Sequence, residues 1–472
     1  PMPVTNASQV GAWSPLWQWP LIAIHASVLP DGRVMTYGTD KGGKQTGKFF
    51  YDVWDPIAGA GDAAHLTLSN QTGTDIFCSA QLVLQSGDLL INGGDIYDPV
   101  KAGTLNQPNA DVNVFRLSSN ALEPSGTMNR PRWYASATTL PNGEIYIQGG
   151  SGGNDRAEVR QQDGNFKLLT GFTTNTLGAS YPRNFVGPDG KVFGMAYTKM
   201  YRIDPYANGG TGSRTDLGTI SGYGADWTSA AVMFEPGRIL QVGGTDNKAA
   251  IVDINSGTPV VTSAGTMSQV RAWSNATVLA DGKVAVTGGS AVANTTNQVA
   301  YQMELFNPVT EAWTVGPSAQ RMRLYHSTAV LLPDGSLLTG AGGAGGSAPQ
   351  TNLNAEIYYP PYLFTAGGLP APRPVLTGAP TAVDPSTDFR VSTPDAASIS
   401  RITMVATGST THSFDMNQRF LEVSFYRDGN DQLVVNLPSN AYQTPPGYYM
   451  VFAFNSAGTP SVARIIRVNP VE

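Results

Sequence analysis

The sequence predicts an all-β protein, a seven-bladed β-propeller followed by an immunoglobulin-like β-sandwich, and three observations predict it. One hairpin motif recurs seven times along the chain. Its copies start 44 to 56 residues apart, a period that suits four-stranded blades arranged around an axis. The 472 residues include 53 glycines and 33 prolines but only 14% charged residues, a composition of many short turns rather than long helices.

The copies begin "HASVLPDGRVMTYG" at His25, "CSAQLVLQSGDLLINGG" at Cys78, "YASATTLPNGEIYIQGG" at Tyr134, "RNFVGPDGKVFGMAY" at Arg183, "WTSAAVMFEPGRILQVGG" at Trp227, "WSNATVLADGKVAVTGG" at Trp273 and "YHSTAVLLPDGSLLTGAGG" at Tyr325. Each reads as an apolar strand, a turn whose glycine tolerates positive φ, and a second β-rich strand. An outer-strand segment, "MELFNPVTEAWTVG" from Met303, is similar to kelch repeats, so a kelch-type propeller is expected over residues 1–370. The fourth copy lacks the Gly-Gly pair and is the degenerate one. A closed ring protects sheet edges that a lone hairpin leaves open, and residues 1 to about 24 are expected to supply a closing strand. After "NAEIYYPPYLF" comes the Gly/Pro-rich linker "TAGGLPAPRPVLTGAP", then short alternating runs such as "ITMVATG", "QLVVNLP" and "YYMVFAFNSAG". These predict the β-sandwich over residues 371–472. A propeller is a scaffold, and the fold alone assigns no function.

Charge and composition exclude several classes of function. A net charge of −6 does not favour nucleic acid or an anionic membrane surface. No apolar run approaches the roughly 18 residues of a membrane span. No signal peptide opens the chain, so a secreted protein is expected here in its mature form. Low charge and four Asn-x-Ser/Thr sequons, at Asn6, Asn70, Asn275 and Asn294, favour a secreted or extracytoplasmic location. The single cysteine, Cys78, rules out an internal disulfide and is either a small buried hydrophobe or a thiol with a task.

Counting back from the turn glycine fixes register, because side chains alternate faces along a strand. Nine residues before Gly87, Gly143, Gly282 and Gly335 stand Cys78, Tyr134, Trp273 and His326. If the first strand of each copy is innermost, these four converge at one rim of the axis, with Tyr325 one residue earlier. Large side chains plugging the channel are one reading. The other is a site: imidazole with oxygen ligands suits Cu(II), and histidine is the commonest metal ligand. Of the four histidines, His25 and His65 read as structural or solvated. His412 lies in "TTHSFDMNQRF" and reaches the axis only if a loop or hairpin of the C-terminal domain enters the channel.

The segments "FCSAQ", "RWYAS", "RLYHSTAVLLPDG", "THSFDMNQRF" and "PPGYYMVFAFNSAGTPSVA" together resemble the copper radical oxidases, the family of galactose oxidase and glyoxal oxidase, without the amino-terminal carbohydrate-binding domain of galactose oxidase. The resemblance implies one copper ion held by Tyr134, Tyr325, His326 and His412, and a thioether between Cys78 and Tyr134 that forms a protein-derived radical cofactor. It implies a catalytic role for Tyr134 with Cys78, and for Tyr325 as the base that takes the hydroxyl proton of a primary alcohol. The products implied are an aldehyde and, from dioxygen, hydrogen peroxide. No nicotinamide or flavin is needed, in keeping with the lack of a Gly-x-Gly-x-x-Gly turn.

The sequence also departs from that pattern. Galactose oxidase stacks a tryptophan over its thioether from a position that here is Gly152, so a stacking ring must come from elsewhere or be absent. Trp273 matches a substrate-contacting phenylalanine, and Arg183 falls near the family's sugar-binding arginine; both are expected to contact substrate. The connection after Gly244 is short, which disfavours D-galactose. The expected partners are a small primary alcohol or aldehyde and dioxygen, with no nucleic acid and no membrane, acting on a monomer. Two alternatives stand beside this: glyoxal-oxidase-like conversion of aldehydes to acids, favoured by "RWY", and a non-enzymatic propeller that binds carbohydrate or protein.

Overall fold

A computed structural model of the chain describes residues 2–98, 100–345 and 348–472. Strands dominate it, and among the described residues no helix is long and apolar enough to cross a membrane. The hairpin copies fold as antiparallel meanders. A typical one runs Trp133–Thr139, Ile145–Ser151, Glu158–Arg160, Phe166–Leu168, each strand paired with the next. Its first strand is fully buried after Tyr134, whereas the last alternates half-buried and exposed positions, as expected of strands that run from the axis to the perimeter.

Five blades stand as separate sheets. The meanders of the first and fifth copies, starting at His25–Val28 and Ser229–Glu235, do not: they belong with the C-terminal β domain to one sixteen-stranded sheet. The cause is a hairpin from that domain. Ser409–Thr411 pairs antiparallel with His25–Val28, and the long strand Phe414–Asp428 runs parallel to Ser229–Glu235, with Phe414 opposite Ala231. The same long strand then enters the C-terminal sheet, where Val423 faces Ile402. One continuous strand therefore threads the axis and anchors the second domain.

The ring closes at Asn354–Tyr359, which pairs with two short strands from the amino-terminal stretch, Ala12–Trp13 and Trp17–Gln18. Three blades share a buried brace. Arg132 meets Glu158 at 2.8 Å, Arg271 meets Glu304 at 2.7 Å and Arg323 meets Glu356 at 3.0 Å, all essentially without solvent. In each case the glutamate also accepts the backbone N–H three residues before its arginine, from Asn129, Ser268 and Gln320. This clamps the chain where it turns into the innermost strand. Of the sequons, Asn70 and Asn275 have buried side chains engaged with Gly47 and Thr74, and with Ser327, while Asn6 is exposed.

Candidate metal centre

The slot nine residues before the turn glycine has a conformational signature. Cys78, Tyr134, Trp273 and His326 adopt φ of 58°, 78°, 62° and 72°, the left-handed region that costs a non-glycine residue roughly 1–2 kcal/mol. Such strain gathers at functional sites. Here it turns each side chain inward at the mouth of an otherwise extended strand. A fifth member is Tyr181, φ 45°, nine residues before Gly190. Slots in neighbouring blades are joined by backbone hydrogen bonds: Tyr134 N–H donates to the Cys78 carbonyl at 2.9 Å, Tyr181 to Tyr134 at 2.8 Å and Trp273 to Thr228 at 3.0 Å.

The seventh copy differs by one residue. From the brace arginine to the turn glycine there are eleven positions in the Arg132 and Arg271 blades but twelve in the Arg323 blade. The extra residue is taken up in a turn closed by Ser327 N–H on the Leu324 carbonyl at 3.0 Å. Both Tyr325 and His326 thereby face the axis, their rings stacked with centroids 3.8 Å apart.

His326 is held by its own blade. Its Nδ1 lies 2.7 Å from the Gly343 carbonyl and 3.1 Å from that of Ala344. Carbonyls only accept, so Nδ1 carries the proton and Nε2 is left a bare acceptor. That Nε2 is buried without a partner. Burial holds the imidazole neutral, with its pKa lowered to about 4. His412 arrives on the inserted hairpin, its Nδ1 2.6 Å from Thr411 Oγ1 and its Nε2 3.5 Å from Cys78 Sγ. Its pKa is pushed well below the ordinary value by burial first and by the charges of His326 and His25 after that. Both imidazoles are thus neutral, the form that ligates metals.

The phenols complete the cluster. Tyr134 and Tyr325 hydrogen-bond to each other through their hydroxyls, and both rings lie edge-on to His412, at 4.9 Å and 5.3 Å. Burial raises both phenol pKa values, that of Tyr134 further raised by the neighbouring Cys78 and Tyr325. The Cys78 thiol is fully buried and pushed well above its usual pKa by desolvation, with a side-chain hydrogen bond to Tyr134 acting the other way. Cys78 Sγ and the ring nitrogens of His326 and His412 fall within 4.8 Å of one another.

Among the other residues singled out from sequence, Trp273 is 3% exposed and its ring sits 4.7 Å from Tyr325. Arg183 is committed to backbone carbonyls. It is 7% exposed, and its guanidinium donates to the carbonyls of Tyr181, Trp227, Ser229 and His412. Those bonds brace the slot of blade four against the hairpin. His25 accepts the Cys78 N–H at Nε2, 3.0 Å, and its other nitrogen meets Gln81 Oε1; it fixes the cysteine's backbone. At Gly152, φ is +88° and a Cβ would lie 2.6 Å from Pro108 Cγ, so no side chain can reach in from there. Instead Trp133 stacks on Tyr134, centroids 4.5 Å apart and planes 28° apart.

The chain is similar to several known proteins. The family model "Galactose oxidase-like, Early set domain" matches residues 373–468. Galactose oxidase of Gibberella zeae is 26% identical over 97% of this chain and 71% of its own length. An aldehyde oxidase of Arabidopsis thaliana is 25% identical over 86% of this chain and 73% of its own. A fungal alcohol oxidase of the AA5 family, solved in complex with copper, superposes with a TM-score of 0.85 at 25% identity, covering 98% of this chain and 100% of that one.

The chain is similar to the copper radical oxidases over nearly its whole length.

Its residues fit the metal of that family. Two neutral imidazoles, one with an orphaned buried Nε2, and two phenol oxygens in mutual contact are the nitrogen and oxygen donors that suit Cu(II). Both imidazoles are oriented by second bonds at Nδ1, the arrangement that fixes tautomer and aim in metal sites. Tyr181, which the motif pattern did not single out, stacks on His412 at 4.6 Å and donates its hydroxyl to the Ser79 carbonyl at 3.1 Å. It therefore walls the cluster between His412 and the Cys78 turn.

Proposed function

We propose that this oxidase converts primary alcohols to aldehydes, RCH2OH + O2 giving RCHO + H2O2, at a copper ion held by Tyr134, Tyr325, His326 and His412. The observation that carries the reading is the pair of phenol hydroxyls in direct contact beside a buried thiol and an unpartnered imidazole nitrogen. Bound copper would supply one oxidising equivalent and acidify a coordinated hydroxyl. Tyr325 takes the alcohol proton at its phenol oxygen when that oxygen is deprotonated. Tyr134, joined by a thioether to Cys78, holds the second oxidising equivalent, and Trp133 and Tyr181 shield its ring from water. Arg183 acts as a positioning residue through the His412 carbonyl.

The same proposal includes a seven-bladed ring over residues 1–370, in which the first and fifth meanders count as blades, an immunoglobulin-like sandwich over 371–472, a monomeric state and an extracytoplasmic location. The alcohol reading draws on the breadth of the match to the copper-bound alcohol oxidase and to galactose oxidase. A second reading, oxidation of aldehydes to acids, is favoured by Trp133 stacked on Tyr134 within "RWY" and by the aldehyde oxidase relatives. A coupled peroxide assay on copper-loaded protein, with benzyl alcohol, short alkanols, glycerol, galactose and glyoxal, tests both. Peroxide from alcohols is expected. Peroxide from glyoxal alone selects the aldehyde reading, and none from any substrate with copper bound selects a binding propeller.

A further inference from the structure

The inward-turned slots share a rule that Cys78 breaks. The slot N–H donates to a backbone carbonyl of the neighbouring blade, from Tyr134 to Cys78, from Tyr181 to Tyr134 and from Trp273 to Thr228. The Cys78 N–H goes instead to a side chain, Nε2 of His25 at 3.0 Å. The Cys78 carbonyl is taken by the Tyr134 N–H at 2.9 Å. The peptide groups on both sides of the Cys78 Cα are therefore pinned, one by an imidazole and the other by the residue that the cysteine is proposed to join. Together they hold Cys78 at φ 58°, a conformation that an unrestrained cysteine disfavours.

An imidazole acceptor does what a carbonyl cannot. The accepting nitrogen carries no proton, so the proton of the neutral ring sits on Nδ1. Burial keeps the ring neutral, its pKa lowered to about 3. Nδ1 lies 3.0 Å from Gln81 Oε1 and donates to it. The other end of that amide, Gln81 Nε2, donates to the Thr410 carbonyl at 2.9 Å. Thr410 lies in Ser409–Thr411, the strand that leads into His412. Three hydrogen bonds thus run in one direction from the cysteine to the inserted hairpin. A flipped amide or the other tautomer would break two of them at once. The ring also lies flat on Tyr37, centroids 4.3 Å and planes 8° apart, and the Tyr37 hydroxyl is 2.6 Å from Ser79 Oγ.

Thioether formation is sensitive to such placement. A bond forms between Cys78 Sγ and a ring carbon of Tyr134, and one S–H and one C–H bond break. The two protons and two electrons released pass to dioxygen, which becomes hydrogen peroxide. An error of an ångström in the approach of two reacting atoms can slow a step by about a hundredfold.

We propose that His25 is the positioning residue for this cross-link: it holds Cys78 against Tyr134 and, through Gln81, makes that placement depend on the docked hairpin. This rests on the thioether reading above and deepens it from the cofactor to its assembly.

The test follows the two-hydrogen mass loss against time after copper is added under air, in wild type, His25→Leu, His25→Gln and Gln81→Leu, with bound copper measured in each. His25→Leu leaves the Cys78 N–H without an acceptor and should slow cross-linking at least about tenfold, with copper retained as in wild type. His25→Gln offers an amide oxygen to the same N–H and should come within about threefold of wild type. Gln81→Leu should fall between them. The lone cysteine allows a second readout, because isotope-labelled cysteine gives one amide signal by NMR in the metal-free full chain. Its hydrogen exchange should be slow in wild type and His25→Gln and at least about tenfold faster in His25→Leu. Equal cross-linking rates in wild type and His25→Leu overturn the proposal, as does a His25→Gln variant no faster than His25→Leu. If His25→Leu does not fold, Gln81→Leu carries the comparison, and a wild-type rate in it removes the link to the hairpin. Absence of any cross-link in wild type overturns the thioether reading. Amide exchange then still decides whether His25 places Cys78, and exchange unchanged by the substitution overturns that too.

Discussion

His326 and His412 come within a few ångströms of each other by opposite routes. His326 is local: a strand mouth, one extra residue after Arg323, and two carbonyls of its own blade fix its ring. His412 is imported on a hairpin that pairs with the first blade on one side and the fifth on the other, and it is oriented by Thr411 and by Arg183 on its carbonyl. The first imidazole is placed by repeat register; the second is placed by a hairpin that pairs with two innermost strands. The copper site proposed above would therefore couple its metal affinity to the docking of that hairpin, whereas a site from register alone would not.

The largest expected effect tests whether both routes are needed. His326→Ala and His412→Ala should each abolish stoichiometric copper retention after dialysis, read by elemental analysis. Retention by His412→Ala would mean that the blades alone make the site. Next in size is the brace beneath the local ligand. Arg323→Met leaves Glu356 buried and unpaired, and breaking such a pair costs about 3–5 kcal/mol, measurable as a lowered denaturation midpoint.

A smaller effect separates the imported ligand's support by pH. Asp415 closes the hairpin, its Oδ1 accepting the N–H groups of Ser409, Asn417 and Gln418. Burial raises its pKa from 3.8 to about 6, so the folded protein favours the protonated acid. The corresponding stability is full below about pH 4 and is lost as pH rises through about 6. Asp415→Asn keeps the acceptor without the charge. Its stability should gain on wild type between pH 4 and 7, by up to about 3 kcal/mol, in chemical denaturation at each pH; a constant difference would mean that the carboxyl titrates normally.

The same contrast explains what the sequence disclosed. Cys78, Tyr134, Trp273 and His326 were legible because a glycine turn fixes strand register and the count of nine survives from copy to copy. Tyr181 obeys the same count, but its copy lacks the Gly-Gly pair and was aligned from Arg183, past the slot. Trp133 was not legible as the stacking ring, because strand alternation sends residues 133 and 134 to opposite faces; the positive φ of Tyr134 undoes that alternation. The commitment of Arg183 to carbonyls, like the arrival of His412, depends on the inserted hairpin and leaves no trace in local pattern. The merging of two meanders with the C-terminal domain was not legible either: the hairpin pairs along two of the innermost strands and joins them into one sheet.

The central claim is that Cys78 and Tyr134, adjacent slots joined by a backbone hydrogen bond, become one cofactor when copper and air are present. Intact mass spectrometry of the protein before and after copper loading under air tests it most directly, with the proteolytic fragments mapped. The account predicts a loss of two hydrogens located to a linked pair of peptides containing Cys78 and Tyr134, and no loss in Cys78→Ser. An unchanged mass with a titratable Cys78 thiol in the copper-loaded protein would contradict it.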